Sequence, residues 1–304
     1  MKKYRYLPEY KIVVFLGWFI RLLPRKMVLL LGERIGDLIF YCIPVRKKIT
    51  LNQVKRAFPD KSNREVAAIA RDTYRNLGMN SLEYLCLPGL SKKSLLEIVK
   101  FKNEGVMQRA FSKGKGVILV GGHFGNWEYM GAAISASGYP LTYVVAGIAN
   151  PHIDRMVNKY RMGVGISILP KGMSVRLMLK TLRKNEAMAM LMDQDAGRNG
   201  TFVSFFNQPC STPKGPALFA LKTGAAMILV SSIRQRDGSL QVIFEEVELD
   251  YGQGATPENI HEIMQRCTAG LESYVRDYPG HWLWMHRRWK THPSIVEKKV
   301  VEKN

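Results

Sequence analysis

Cysteine is scarce in this 304-residue sequence and never clustered: Cys42, Cys86, Cys210 and Cys267 form no C-x-x-C pair. That argues against a disulfide scaffold or a zinc ribbon, and reduced thiols filling core space in a cytoplasmic compartment are expected. H-x-H and H-E-x-x-H spacings are also missing, so His123, His281, His286, Asp193 and Asp195 are not expected to hold a metal. "SKGKG" precedes a strand instead of following it, and "KGMS" lacks the first glycine of a Walker loop, which leaves a nucleotide triphosphatase unsupported. Repeats, low-complexity tracts and Gly/Ser-rich linkers are absent, so nothing obvious divides the chain.

Acidic residues are few: 25 Asp and Glu stand against 45 Lys and Arg, a formal charge of +20. Such a surplus points to an anionic partner, whether nucleic acid, an acidic protein or an anionic membrane. A basic nucleic-acid-binding protein is the alternative from a different class. Against it, the basic residues spread over the whole chain without a zinc finger, basic zipper or RNA-recognition signature.

Long apolar runs are missing too. The N-terminal stretch "YKIVVFLGWFIRLLPRKMVLLLGERIGDLIFYCIPVRKK" is rich in aliphatic and aromatic residues, yet Arg21, Pro24, Arg25, Lys26, Glu33, Arg34 and Asp37 interrupt it. Its cleanest part, Ile12 to Ile20, would make a helix of only ~14 Å against a hydrocarbon core of ~30 Å. Glu9 in the basic leader and the lack of a small-x-small cleavage site tell against a signal peptide. Trp18 with Tyr4, Tyr6 and Tyr10, flanked by Lys and Arg, fits helices lying in a membrane surface; helices that merely cap the core are the alternative.

What is present divides into a membrane-associating helical region at 1–48 and a larger unit at 49–304, with a helical lead-in to about 112. From there short apolar runs alternate with amphipathic helices: strand 117–121, helix about 126–136, strand 141–146, helix 152–162, strand 166–169, helix 174–184 and strand 187–192. "FVSFF", the helix "KGPALFALKTG", the strands "AMILVSSIRQ" and "LQVIFEEVEL", and a helix near 256–277 follow. This is an α/β pattern with a mostly parallel sheet flanked by helices, to which the last strands add an antiparallel hairpin.

Ligands of open α/β sheets gather at the carboxyl ends of strands, and His123 and the pair Asp193 and Asp195 both fall just past such ends. If His123 and Glu128 shared a helix, five residues at 100° each would set them ~140° apart. The histidine is therefore expected in the turn before the helix, which Gly121, Gly122 and Gly125 permit. Asn126 then caps the helix and Glu128 sits in its first turn, with its carboxylate reaching back to the imidazole. A carboxylate-oriented histidine is a general base; with no serine or cysteine in "GGHFGNWE", the nucleophile is expected to be a hydroxyl of the substrate.

"GGHFGNWE" resembles the H-x-x-x-x-D/E motif of the glycerolipid acyltransferase superfamily. "LMDQDAGRNGTFVSFFNQPCSTPKGPALFALKTGA" and "HWLWMHRRWKTHP" resemble the lipid A late acyltransferases, the lauroyl and myristoyl transferases of Kdo-lipid IVA. The three blocks stand in the right order. The resemblance implies a membrane-associated O-acyltransferase at the cytoplasmic face of a bacterial inner membrane. Its donor would be an acyl thioester on acyl carrier protein or coenzyme A, with no further cofactor, and its acceptor an anionic, phosphorylated glycolipid. Broader relatives acylate lysophospholipids or other glycolipids.

On this resemblance His123 takes the proton of the acceptor hydroxyl and Glu128 orients and charges it. Arg161, in the family's second block, holds a substrate phosphate or steadies the oxyanion, and Asp193 and Asp195 match the family's D-x-D. Arg198 in the following turn is a further substrate-binding candidate, as are Arg287 and Arg288, which could bind phosphate bidentately while Trp282 and Trp284 share one side of a strand or tight turn. Gln194 stands where some relatives carry histidine.

Overall fold

The computed structural model describes residues 6–43, 45–170, 172 and 175–293, so Tyr4 and Ser174 lie outside the described residues. In chain order the elements are α1 (Leu7–Ile20), α2 (Arg25–Cys42), α3 (Lys47–Ala57), α4 (Asn63–Cys86), α5 (Lys92–Ile98), β1 (Val99–Lys102), α6 (Gly105–Ser112), β2 (Val117–Gly121), α7 (Trp127–Ala136), β3 (Leu141–Val145), α8 (Pro151–Gly163) and β4 (Ile166–Pro170). After these come α9 (Val175–Arg183), β5 (Ala187–Leu191), β6 (Thr201–Phe205), β7 (Gln208–Thr212), α10 (Gly215–Thr223), β8 (Ala226–Arg234), β9 (Leu240–Val247) and α11 (Pro257–Asp277).

Seven strands form one sheet in the order β1-β9-β8-β2-β5-β3-β4. Every pairing in it is parallel except β8 with β9, the expected antiparallel hairpin. The central strand reads "VILVG" without alternation because both of its faces are covered. Val117 and Leu119 point into one core with α5, α6 and α7, whereas Ile118 and Val120 point into the other with α10, α11 and the tryptophans of the C-terminal segment.

Three details differ from the sequence reading. The helical lead-in contains a strand, β1, too short at four residues to show periodicity and held only by its parallel pairing with β9. "FVSFF" belongs to β6, which pairs with β7 in a separate two-stranded sheet. Cys210 and Cys267 are buried as expected, but Cys42 is exposed and fills no core space.

The N-terminal helices are docked, not loose. A Cβ on Gly78 of α4 would lie 2.1 Å from the Gly32 carbonyl oxygen of α2, so the two backbones cross where neither carries a side chain. Arg71 and Arg75 of α4 both clasp Asp37 of α2, and their guanidinium groups hold its carboxyl far below the usual range. α1 is different: it buries only Gly17 and Ile20 and leaves Ile12, Phe15, Trp18 and Phe19 exposed. None of the described helices is long and apolar enough to cross a membrane.

Candidate active site

Strands β2 and β5 lie side by side in parallel with Gly121 opposite Leu191. Two residues further on each chain stand His123 and Asp193, brought together at the carboxyl edge by register alone. The imidazole Nδ1 lies 2.8 Å from Asp193 Oδ1, and the His123 backbone N–H donates to Oδ2 at 2.7 Å. Trp282 Nε1–H donates to the same Oδ2 at 2.8 Å. Asp193 is 3% exposed, so this carboxylate is satisfied entirely by protein.

Burial opposes ionisation of Asp193, but the charge on His123 and these donors outweigh it and hold the carboxyl at about 2. For His123, burial works against the charged form and is overcome by the Asp193 charge and hydrogen bond, with Glu128 adding to the field; its pKa is raised. An ionised carboxylate only accepts hydrogen bonds, so Nδ1 carries the proton and Nε2 is left with its lone pair.

The turn carrying His123 follows the expected plan. Gly125 has φ of +58°, and a Cβ there would lie 1.7 Å from the Ser232 carbonyl oxygen, which excludes any other residue. Asn126 caps α7 by accepting the Tyr129 N–H at 3.0 Å, and Glu128 stands in the first turn. The Trp127 ring meets the His123 ring edge-on, with centroids 5.1 Å apart.

One expected contact is replaced by another. The Glu128 carboxylate does not orient the imidazole, because Arg161 holds it in a two-pronged pair, Nη2 to Oε1 at 2.5 Å and Nε to Oε2 at 3.1 Å. The carboxylate on Nδ1 is that of Asp193. Both members of the Arg161–Glu128 pair are nearly buried, and the Arg161 guanidinium also lies over the Tyr143 ring.

The other candidates separate. Asp195 anchors the C-terminal segment, accepting from the Thr291 hydroxyl at 2.9 Å and its N–H at 3.1 Å. Arg198 and Arg287 are exposed. Arg288 is 1% exposed and its guanidinium donates to the Ser211 carbonyl at 2.7 Å and to the Thr212 hydroxyl, so the expectation that it meets a phosphate is corrected: it binds the C-terminal segment to β7. Trp282 and Trp284 are both buried, their rings 4.6 Å apart in an edge-to-face pair. Residues 282–289 run mostly as turns, with one bridge from Trp282 to Phe124 that lays this segment against the His123 turn.

Sequence reasoning missed the layer beneath. Glu83, 1% exposed, accepts from Arg25 at 2.5 Å, from Arg234 at 2.5 and 3.2 Å and from Asn126 Nδ2 at 2.8 Å. Asn80 takes the remaining reach of Arg234 at 2.9 Å and donates to the Gly125 carbonyl at 2.6 Å. The signal was there in α4: Asn80 and Glu83 continue the buried stripe of Val66, Ala70 and Thr73 at helical spacing, and polar residues on an apolar stripe need buried partners. His281, pushed down to about 4 by burial and the Arg234 charge, stays neutral and accepts the Arg234 N–H at 3.3 Å.

The chain matches known proteins along nearly this whole length. The profile of the bacterial lipid A biosynthesis acyltransferase family matches residues 1–291. The chain is 26% identical to the lipid A biosynthesis palmitoleoyltransferase of Escherichia coli (strain K12), over 91% of this chain and 89% of that protein. Identity with the lipid A biosynthesis lauroyltransferase of the same organism is 25%, covering 93% and 91%. A phosphatidylinositol mannoside acyltransferase of Mycolicibacterium smegmatis (strain ATCC 700084 / mc(2)155) is 26% identical over 59% of each chain.

Proposed function

From the premise that the chain belongs to the bacterial lipid A biosynthesis acyltransferase family, an O-acyltransferase acting on glycolipids, we propose that it transfers a fatty acyl group from an acyl thioester to a hydroxyl of a lipid A precursor. The observation that carries this reading is the 2.8 Å pair of His123 Nδ1 with buried Asp193 at the edge of two adjacent parallel strands. Nε2 takes the proton of the acceptor hydroxyl as its oxygen attacks the thioester carbon, and Asp193 stabilises the imidazolium. Collapse of the tetrahedral intermediate forms the ester C–O bond and breaks the C–S bond, and the imidazolium returns the proton to the leaving thiolate. The crevice at His123 has one hydroxyl side chain, Thr73, which donates to the Ile69 carbonyl, so no enzyme nucleophile competes with the acceptor.

Glu128, in the first turn of α7, holds Arg161, and Arg161 faces the charge that develops on the thioester oxygen or a substrate phosphate. Exposed Arg198 and Arg287 meet phosphates of the acceptor, and the basic surface suits an acidic carrier protein or coenzyme A as donor. The apolar side chains of α1 lie in the cytoplasmic surface of the inner membrane, where the acceptor resides.

Incubation with labelled acyl carrier protein thioester and a lipid A precursor, read by lipid mass spectrometry, tests the reading. His123→Ala lowers turnover by about 10²–10⁴-fold while the fold persists, and no acyl-enzyme accumulates. Near-normal rates in that variant, or a covalent acyl group on the protein that turns over into product, sink the mechanism.

A further inference from the structure

Of three hollows of about 410 to 510 Å³ on the described surface, one shares its lining with the crevice beside His123. The first, about 450 Å³, is lined by Leu90, Tyr139 and Gly165 at the amino edge of the sheet, remote from the strand ends that carry the site. The second, about 510 Å³, lies between Arg56, Lys61 and the β6–β7 turn. The third, about 410 Å³, runs between α2, α4 and the 278–281 turn, and shares Asn76 and His281 with the crevice beside His123.

That crevice measures about 10 Å³, at the lower bound for a single water, so beside the imidazole it takes a group the size of one hydroxyl. The third hollow falls within the range of small-ligand sites. Its chemistry is that of a hydroxyl-rich ligand. The Asp72 carboxylate is half exposed and has only a loose pairing with Arg75 at 3.9 Å. Asn76 lines the hollow and donates Nδ2 to the Asp72 and Gly280 carbonyls, so Oδ1 is the atom of its amide that accepts. Tyr278, 39% exposed, lines the hollow and brings a hydroxyl-bearing ring to it. No spare cation lines the hollow, for Arg75 is committed to Asp37 at 2.6 Å and to Glu33 at 3.1 Å.

The wall towards α2 adds the second half of the argument. Leu30, one turn before Glu33 on the same helix surface, is 52% exposed, and Met27 a turn earlier is equally so. A polar hollow beside exposed apolar side chains matches a ligand with a sugar head and acyl tails.

We infer that the hollow between α2, α4 and the 278–281 turn is the sugar subsite of the glycolipid acceptor: Asp72, Asn76 and Tyr278 bind ring hydroxyls, and the reacting hydroxyl reaches His123 past Asn76 and His281. The inference rests on the acyltransferase reading and adds to it where the acceptor sits. The subsite reads sugar hydroxyls and leaves phosphate to other residues.

The test compares wild type with Asp72→Asn and Tyr278→Phe, which remove a charge or a hydroxyl without changing shape. KM for a lipid A precursor is measured with and without its phosphates. Each variant raises the acceptor KM by about fivefold, the worth of one net hydrogen bond. The penalty is the same for the dephosphorylated acceptor, and the donor KM stays put. As a measurement independent of the variants, a soluble tail-free disaccharide of the acceptor headgroup slows hydrogen exchange in 72–79 and 278–281 of the wild-type protein.

If wild type transfers acyl groups and both variants keep its acceptor KM, or the donor KM moves instead, the subsite is refuted while the acyltransferase reading stands. A penalty that disappears with the phosphates also refutes it. If wild type acylates no glycolipid, the acyltransferase reading itself falls.

Discussion

The 2.8 Å between His123 Nδ1 and Asp193 Oδ1 is set by two neighbouring strands and not by one local motif. Five-residue spacing made Glu128 the natural partner, but the tighter constraint is between strands: β2 and β5 fix which residues leave the sheet at the same height, and no local pattern encodes that pairing. The same holds for Trp282, about 90 residues from the carboxylate it donates to. A consequence at this scale concerns pH. The base works as neutral imidazole, and its pKa lies above the ordinary 6.5, so the acid limb of kcat/KM falls above that value. Asp193→Asn leaves burial as the main influence on His123. The limb then moves to lower pH while kcat falls by about 10²–10⁴-fold, because the imidazolium loses its counter-charge. An acid limb that stays in place in the variant contradicts the pairing.

That pair also shapes stability against pH, with opposite signs for its two members. The raised His123 pKa contributes stability that is complete below 6.5 and lost as pH rises through the folded value. The depressed Asp193 pKa contributes stability present above 3.8 and lost as pH falls through about 2. Thermal melts should therefore show the deficit of Asp193→Asn at its largest between 3.8 and 6.5, and shrinking towards alkaline pH.

Among the elements, α4 connects the most. It packs α2 through glycines, presents Asn80 and Glu83 to the His123 turn, and receives Arg234 from β8. Its helical character was legible from apolar spacing, and the structure adds the capping box of Ser62 and Glu65; the inward charge of Glu83 stayed hidden because amphipathic reading treats charge as solvent-facing. Arg234→Met leaves Glu83 with Arg25 as its one remaining cation, and breaking a buried pair costs roughly 3–5 kcal/mol, so a clear drop in denaturant midpoint is expected. A change below about 1 kcal/mol shows the pair to be dispensable. α1 makes a different prediction. Its Ile12, Phe15 and Trp18 are exposed, and the expected outcome is that 1 M salt releases little protein from vesicles, whereas Phe15→Ser with Trp18→Ser releases most of it in a flotation assay.

At the scale of the whole molecule, the alternation of apolar runs and amphipathic helices after residue 112 was enough to give a mostly parallel sheet with a terminal antiparallel hairpin. Strand order was not readable, since parallel neighbours are joined by crossovers and β2 pairs with β5 and β8, both distant in sequence. The path of residues 279–289 was equally hidden, for its turns are held by buried tryptophans and by Arg288 and not by any local repeat.

That path sets an order in time. Synthesis delivers α4, β2 and β5 well before residues 279–289, and those late residues supply the Trp282 bond to Asp193 and the bridge along Phe124. At about 5–20 residues per second the ribosome holds back this piece for several seconds after the sheet's central strands have emerged. Until then the Asp193 carboxylate holds the His123 ring and backbone N–H but lacks the third of its donors, the indole of Trp282. The donor set of that buried carboxylate is complete only once translation has passed the tryptophans.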